Sequence, residues 1–189
     1  MVASAFSHAF VAIALGKAYS QRPMPWRFWV LSVLCAVLPD ADVIGFALGV
    51  KYADMLGHRG LSHSLSFAGV LGVSVVWGAF SAVVRCSRAW WTLGLYFSLV
   101  TASHGVLDAL TNGGLGIAFF APFDPTRYFL PWRPVQVSPI SMAAFLGRNG
   151  LRVLRSELVY SWLPTALLCG LVSLCRRPRA HTDSSLPQH

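Results

Sequence analysis

Five apolar runs, at about 3–18, 26–50, 61–84, 89–110 and 158–175, are separated by three short polar or basic connections and one long one. The third and fourth are long enough to span a bilayer, since about twenty helical residues cross its hydrocarbon core. The fifth is slightly short. The first is shorter still and is expected to enter at a tilt or partway. The second is interrupted by Pro39-Asp40-Ala41-Asp42, so its continuous apolar arm ends near Leu38. These runs are apolar on every side, and in lipid their backbone groups must be satisfied internally. The pattern predicts an all-α integral membrane protein, a bundle of four to five transmembrane or membrane-entering helices.

Between 111 and 157 glycines and prolines punctuate the chain, with aromatics between them. This stretch is expected to form a long non-helical loop region over one membrane face, holding at most a hairpin in 111–140 and a short helix near 141–148. One embedded domain, 1–175, is therefore followed by a basic and polar tail, 176–189, expected to be disordered.

Composition agrees with the pattern. Of 189 residues, 55% are hydrophobic and only 12% charged, about half the charge of an ordinary soluble domain. The net charge of +8 would suit nucleic acid in a soluble protein, but the basic residues flank the apolar runs: Arg22 and Arg27, Arg85 and Arg88, Arg176, Arg177 and Arg179. That placement suits anionic headgroups, and nucleic acid is not expected as a partner. Cys35, Cys86, Cys169 and Cys175 contain no Cys-x-x-Cys pair and are given no redox or metal role. The first run lacks a basic leading segment, so it is not expected to be a cleaved signal. Placing the loops at 20–27 and 85–88 and the tail in the cytoplasm makes five crossings, with the N-terminus outside. Eight basic residues then lie inside and seven outside, three of the seven at 148–155 after a long loop, where the positive-inside bias weakens.

On that layout the unusual polar residues gather at one face. His8 opens the first run, Asp40 and Asp42 end the apolar arm of the second, His58 and His63 bracket the start of the third, and His104 and Asp108 end the fourth. His104 and Asp108, four residues apart, project from one side of a helix and can share a cation. Two carboxylates at a helix end suit oxygen ligation, and Ser62 is read as the N-cap of the third helix. Taken singly, His8 reads as a polar contact between helices, Asp40 as a helix end, and His104 with Asp108 as a hydrogen-bonded pair. Taken together on one face, the seven read as a metal site. Imidazole and carboxylate without thiolate favour Zn, with Mn the alternative, as one ion or two. Asp54, Asp124 and Glu157 are read as surface groups. Arg59 reads equally as an anion site or a headgroup contact, and Arg127, Tyr128 and Trp132 as interface belt or substrate wall.

At these residues the chain resembles the LexA-regulated, inner-membrane-associated family of metal-dependent hydrolases. The likeness rests on Ser7-His8, Leu38-Pro39-Asp40-Ala41-Asp42, His58-Arg59-Gly60-Leu61-Ser62-His63-Ser64, His104-Gly105-Val106-Leu107-Asp108 with Thr111 and Gly114, and Ala121-Pro122-Phe123 before Arg127-Tyr128. It covers about two-thirds of the chain in the family's order. Asp124 stands where members often carry serine. The ligand order is also similar, more distantly, to zinc-dependent phospholipases C and nucleases. The resemblance implies a multi-pass inner-membrane hydrolase. The layout above puts its site on the non-cytoplasmic face, and the more distant likeness implies a phosphoester or lipid-linked phosphate as substrate, beside membrane lipid. A cation on His8, Asp40, Asp42, His58, His63, His104 and Asp108 would polarise the scissile group and activate water. Asp42 would be a ligand or the general base, and Arg59 would steady an anionic leaving group. The rival expectations are a metal-binding membrane protein without turnover and an ion- or proton-handling transporter.

Overall fold

The computed structural model describes residues 3–20, 22–138, 145 and 147–176. The tail from 177 on, with His181 and His189, and most of the short helix expected near 141–148 lie outside the described residues.

Helix α1 is Ala5–Tyr19 and α2 is Trp26–Val37. As expected, α2 stops just before the Pro39 segment, at Val37, but the chain does not leave the helical course. The chain tightens there into a 3₁₀ stretch, Leu38–Val43, and relaxes into the short α3, Ile44–Ala47. Proline sits near the start of this stretch, where its missing N–H costs least. The run thus stays helical through 26–47, with Asp40 and Asp42 on its tightened part. A 3₁₀ turn, Leu61–His63, leads into α4, Leu65–Ala79, and α5 follows at Arg88–Ala109. The N-cap of α4 is Ser64, not Ser62: the Ser64 hydroxyl accepts from Phe67 N at 3.0 Å. The cap moves because residues 61–63 take a turn of their own. Ser87 caps α5 in the same way.

The expected loop region stops short of Glu157. From Arg148 the chain is helical, as α6, Arg148–Glu157, a π-helical turn, Leu158–Trp162, and α7, Leu163–Cys175. Among the described residues there is no strand. Two isolated bridges, Thr111 with Val135 and Ile117 with Tyr128, stand in the stretch where at most a hairpin is expected.

Among the described residues, two helical stretches are long and apolar enough to cross a membrane, Trp26–Ala47 and Asn149–Cys175. The fifth run, expected to be short, gains its length from the polar α6. The third, expected to span, forms a helix of 15 residues, about 22 Å against a hydrocarbon core of about 30 Å. Helix α5 has 22 residues and occupies the middle, packing on α1, α2 and α4. Its partners share a core of Phe28, Cys35, Ala36, Val76, Trp90, Tyr96, Phe97 and Val100. Val70, Leu95, Leu99 and Leu167 turn outward and are more than half exposed, which fits a surface bathed in lipid.

The approach of α4 to α5 depends on Gly72. A Cβ there would lie 2.2 Å from Ser98 Oγ and 2.5 Å from Ser98 N, whereas one at Gly69 would meet nothing. Gly72→Val should therefore separate the helices and cost about 1–3 kcal/mol, while Gly69→Ala should be tolerated. Thermal unfolding in detergent distinguishes them.

Candidate metal centre

The antiparallel course of α1, α2, α4 and α5 brings the start of α1, the 3₁₀ end of α2, the turn before α4 and the end of α5 to one place. His63 Nε2 and His104 Nε2 are 3.0 Å apart there. Asp40 Oδ1 lies 3.3 Å from His104 Nε2 and 3.6 Å from His63 Nε2. Asp108 Oδ2 lies 3.7 Å from His63 Nε2 and 3.9 Å from His104 Nε2. The carboxylate separations exceed hydrogen-bond length, and both Asp40 Oδ1 and Asp108 Oδ2 are buried without a hydrogen-bond partner. Donors about 2.0–2.1 Å from a tetrahedral zinc stand about 3.3 Å apart. The four atoms fit one such ion.

The surroundings fix which nitrogen is free. His104 Nδ1 donates to Ala36 O at 2.7 Å, so its Nε2 keeps the lone pair. Ser62 Oγ donates to Asp42 Oδ2 at 2.6 Å and so accepts from His63 Nδ1 at 2.9 Å. That leaves His63 Nε2 free as well. This backing of metal-facing imidazoles by carbonyls and carboxylates orients ligands in many metal sites.

Asp42 stands behind the four donors. It accepts from His58 Nδ1 at 2.6 Å, from Ser62 Oγ and from Arg59 N at 3.3 Å, and lies 3.2 Å from His63 Nδ1. Asp42, His58 and His63 also form a second group whose donor atoms could hold a cation. His58 Nε2 is buried and unpartnered, walled by Phe46 and Tyr52. Burial pushes the Tyr52 phenol above its ordinary pKa, against the opposing Arg59 charge. His8 stacks on His104 with ring centroids 3.8 Å apart, and its Nε2 is 3.6 Å from Asp108 Oδ1. Both its nitrogens lack hydrogen bonds. His8 therefore sits beside the four donors without belonging to them.

Arg59 differs most from its expected role. It is fully buried, with φ at 66°. Its guanidinium places Nε 3.3 Å from Asp108 Oδ2 and donates to Gly113 O at 2.8 Å and Thr111 Oγ1 at 2.9 Å. Gly114, at φ +88°, lets the loop close over it: a Cβ would stand 2.6 Å from Arg59 Nη1. These contacts commit the side chain to the loop and to Asp108 rather than to a leaving group. Three carboxylates against one guanidinium leave two negative charges when the imidazoles are neutral. Buried charge of that kind needs a counter-ion, and a divalent cation supplies it. The side chain of Asp40 is 22% exposed, whereas those of His63, His104 and Asp108 are sealed. Of the four, only the Asp40 side chain reaches the surface.

Glu157 is not the surface group its arginine-rich neighbourhood suggests. It is buried, and its carboxylate accepts from Ser4 Oγ at 2.6 Å and from Ser4 N. Ser4 is the N-cap of α1, so the carboxylate faces the positive end of that helix. One residue earlier, Ala3 N donates to Asp108 Oδ1 at 2.7 Å, so Glu157 helps set the N-terminal segment against the centre. Glu157→Ala should cost about 1–3 kcal/mol by stranding the Ser4 donors, seen as a lower unfolding temperature. Asp54 and Asp124 lie at the surface, accepting from Lys51 N and Thr126 N. Arg127 donates to the carbonyls of Tyr52, Asp54 and His58 and pins the loop before the centre. Tyr128 and Trp132 remain exposed.

Comparison with known proteins gives these residues a family. Residues 3–180 match the YdjM inner membrane protein family. The inner membrane protein YbcI of Escherichia coli (strain K12) is 34% identical over 176 residues, covering 90% of this chain and 97% of that protein. No solved structure matches. The matched stretch includes every residue of the centre, and the chain belongs to the YdjM inner membrane protein family.

Proposed function

We propose that the chain is a membrane-bound, metal-dependent hydrolase whose divalent cation, zinc or manganese, is held by Asp40, His63, His104 and Asp108. The observation that carries this reading is the pair of buried, unpartnered carboxylate oxygens facing two imidazole nitrogens whose lone pairs are free. The bound ion would supply Lewis acidity and water activation. Asp42 orients His58 and His63, Arg59 steadies Asp108, and the edge at Asp40 admits substrate. The resemblance to inner-membrane-associated hydrolases and the similar ligand order of zinc phosphoesterases support a phosphoester, such as a lipid-linked phosphate, as substrate class. The helices α1, α2 with its extension, α4, α5 and α6–α7 enter or cross the inner membrane, with the centre at the non-cytoplasmic face.

A second reading is binding without turnover. It is favoured by the sealing of three of the four donors, since closed four-ligand sites are commonly structural. Metal analysis of detergent-purified protein, followed by hydrolysis assays on phospholipid and isoprenoid-phosphate substrates in mixed micelles, separates the two. Bound metal with turnover supports the hydrolase. Bound metal without turnover supports the binding protein.

A further inference from the structure

The end of the bundle away from the metal centre has a different chemistry. Asp40, Asp42, Asp54, Asp108, Asp124 and Glu157 all belong to the centre or to the loops and N-terminal segment joined to it. The opposite end carries Lys17, Arg22, Arg27, Arg85, Arg88 and Arg176, with no acidic residue among the described ones. Lys17, Arg27 and Arg85 lie over the rings of Trp29, Phe80 and Trp77 there. A groove of about 340 Å³ opens at this end between α1, α5 and α7, lined by Leu15, Tyr19, Leu95, Leu99, Val172 and Arg176 among others. Its volume is at the small end for ligand sites, enough for part of an acyl chain. Arg176 stands at its rim, where one guanidinium nitrogen donates to Ala18 O at 2.8 Å, a carbonyl of the last turn of α1. That bond ties the exposed side chain to the end of α1, and no other contact among the described residues engages its remaining N–H groups.

We propose that this groove binds one anionic phospholipid, with an acyl chain along Leu95 and Leu99 and the phosphate at Arg176. An apolar slot with a guanidinium at its rim matches an acyl chain joined to a phosphate, and the cations gathered at this end favour a negative headgroup over a zwitterionic one. The headgroup end of the site is separate from the proposed hydrolytic centre: Arg176 is bonded to Ala18, ten residues from His8, about 15 Å along α1. None of the four donors lines the groove, whose inner end at Val100 stops one turn before His104. The lipid is a bound component of the bundle, bridging α1, α5 and α7, and not the substrate.

The test is native mass spectrometry of the full chain from mixed micelles containing either phosphatidylglycerol or phosphatidylcholine. Wild-type protein should retain one phosphatidylglycerol, at least about fivefold in preference to phosphatidylcholine. Arg176→Gln should lower phosphatidylglycerol occupancy about fivefold, the effect of one basic residue at a membrane surface. Leu99→Trp, on an outward position, should fill the slot and remove the bound lipid whatever its headgroup. Arg133→Gln, in the loop region, should change nothing. Equal retention of the two lipids by wild-type protein would overturn the proposal. So would phosphatidylglycerol occupancy that is unaltered by both Arg176→Gln and Leu99→Trp.

Discussion

His104→Ala should lower zinc affinity of the detergent-purified chain by at least about tenfold, the larger part of the loss being one of four converging donors. The substitution also removes the bond to Ala36 O and the ring on which His8 stacks. A fall in affinity must therefore be separated from a fall in folding. His8→Ala provides the control, since it removes the stacked partner and leaves the four donors in place. It should weaken zinc binding less than His104→Ala does. Asp108→Ala should match or exceed His104→Ala, because it also leaves Arg59 buried without its carboxylate. Titration with zinc, read beside thermal unfolding of each variant, checks the order. Equal zinc content in wild type, His104→Ala and Asp108→Ala would exclude a metal centre at this place.

Much of that centre is legible from residue types and their spacing alone. His8, Asp40, Asp42, His58, His63, His104 and Asp108 stand out because an ionisable group beside an apolar run is costly and must have a reason. The alternation of the runs alone assigns them to one end. What the spacing does not contain is rank among them. That Asp42 faces the back of two imidazoles while Asp40 faces their free nitrogens depends on the 3₁₀ winding of Leu38–Val43, which a proline in an apolar run does not announce. Glu157 is illegible for a different reason. It ends an arginine-rich helix that reads as surface, and it is buried only because the N-cap of α1, more than 150 residues away, comes to meet it. Arg59 likewise reads as an available cation, yet Thr111 and Gly113 hold it. Local winding decides the first of these, and partners distant in sequence decide the other two.

Asp42→Asn should reduce both metal affinity and turnover, and excess metal should restore part of the turnover. Both carboxylate oxygens of Asp42 accept hydrogen bonds, from His58 Nδ1 on one side and from Ser62 Oγ and Arg59 N on the other. An asparagine has one acceptor oxygen, so its amide N–H₂ would face a donor and misalign His58 or His63. Losing such an orienting carboxylate costs about tenfold to a hundredfold in metal affinity. Saturating metal then refills the site, and the proposed hydrolysis recovers in part. Were Asp42 the general base, the loaded variant would bind metal like wild type and stay inactive, since an amide takes no proton. The pH profile adds a second axis. Imidazoles must be neutral to ligate, so protons compete with the cation as the pH falls, and wild-type activity should decline on the acid side with the metal content. Added metal should move that acid limb to lower pH, which protonation of a base without metal loss would not do. Activity that survives complete removal of metal by a chelator would end the metal-dependent reading.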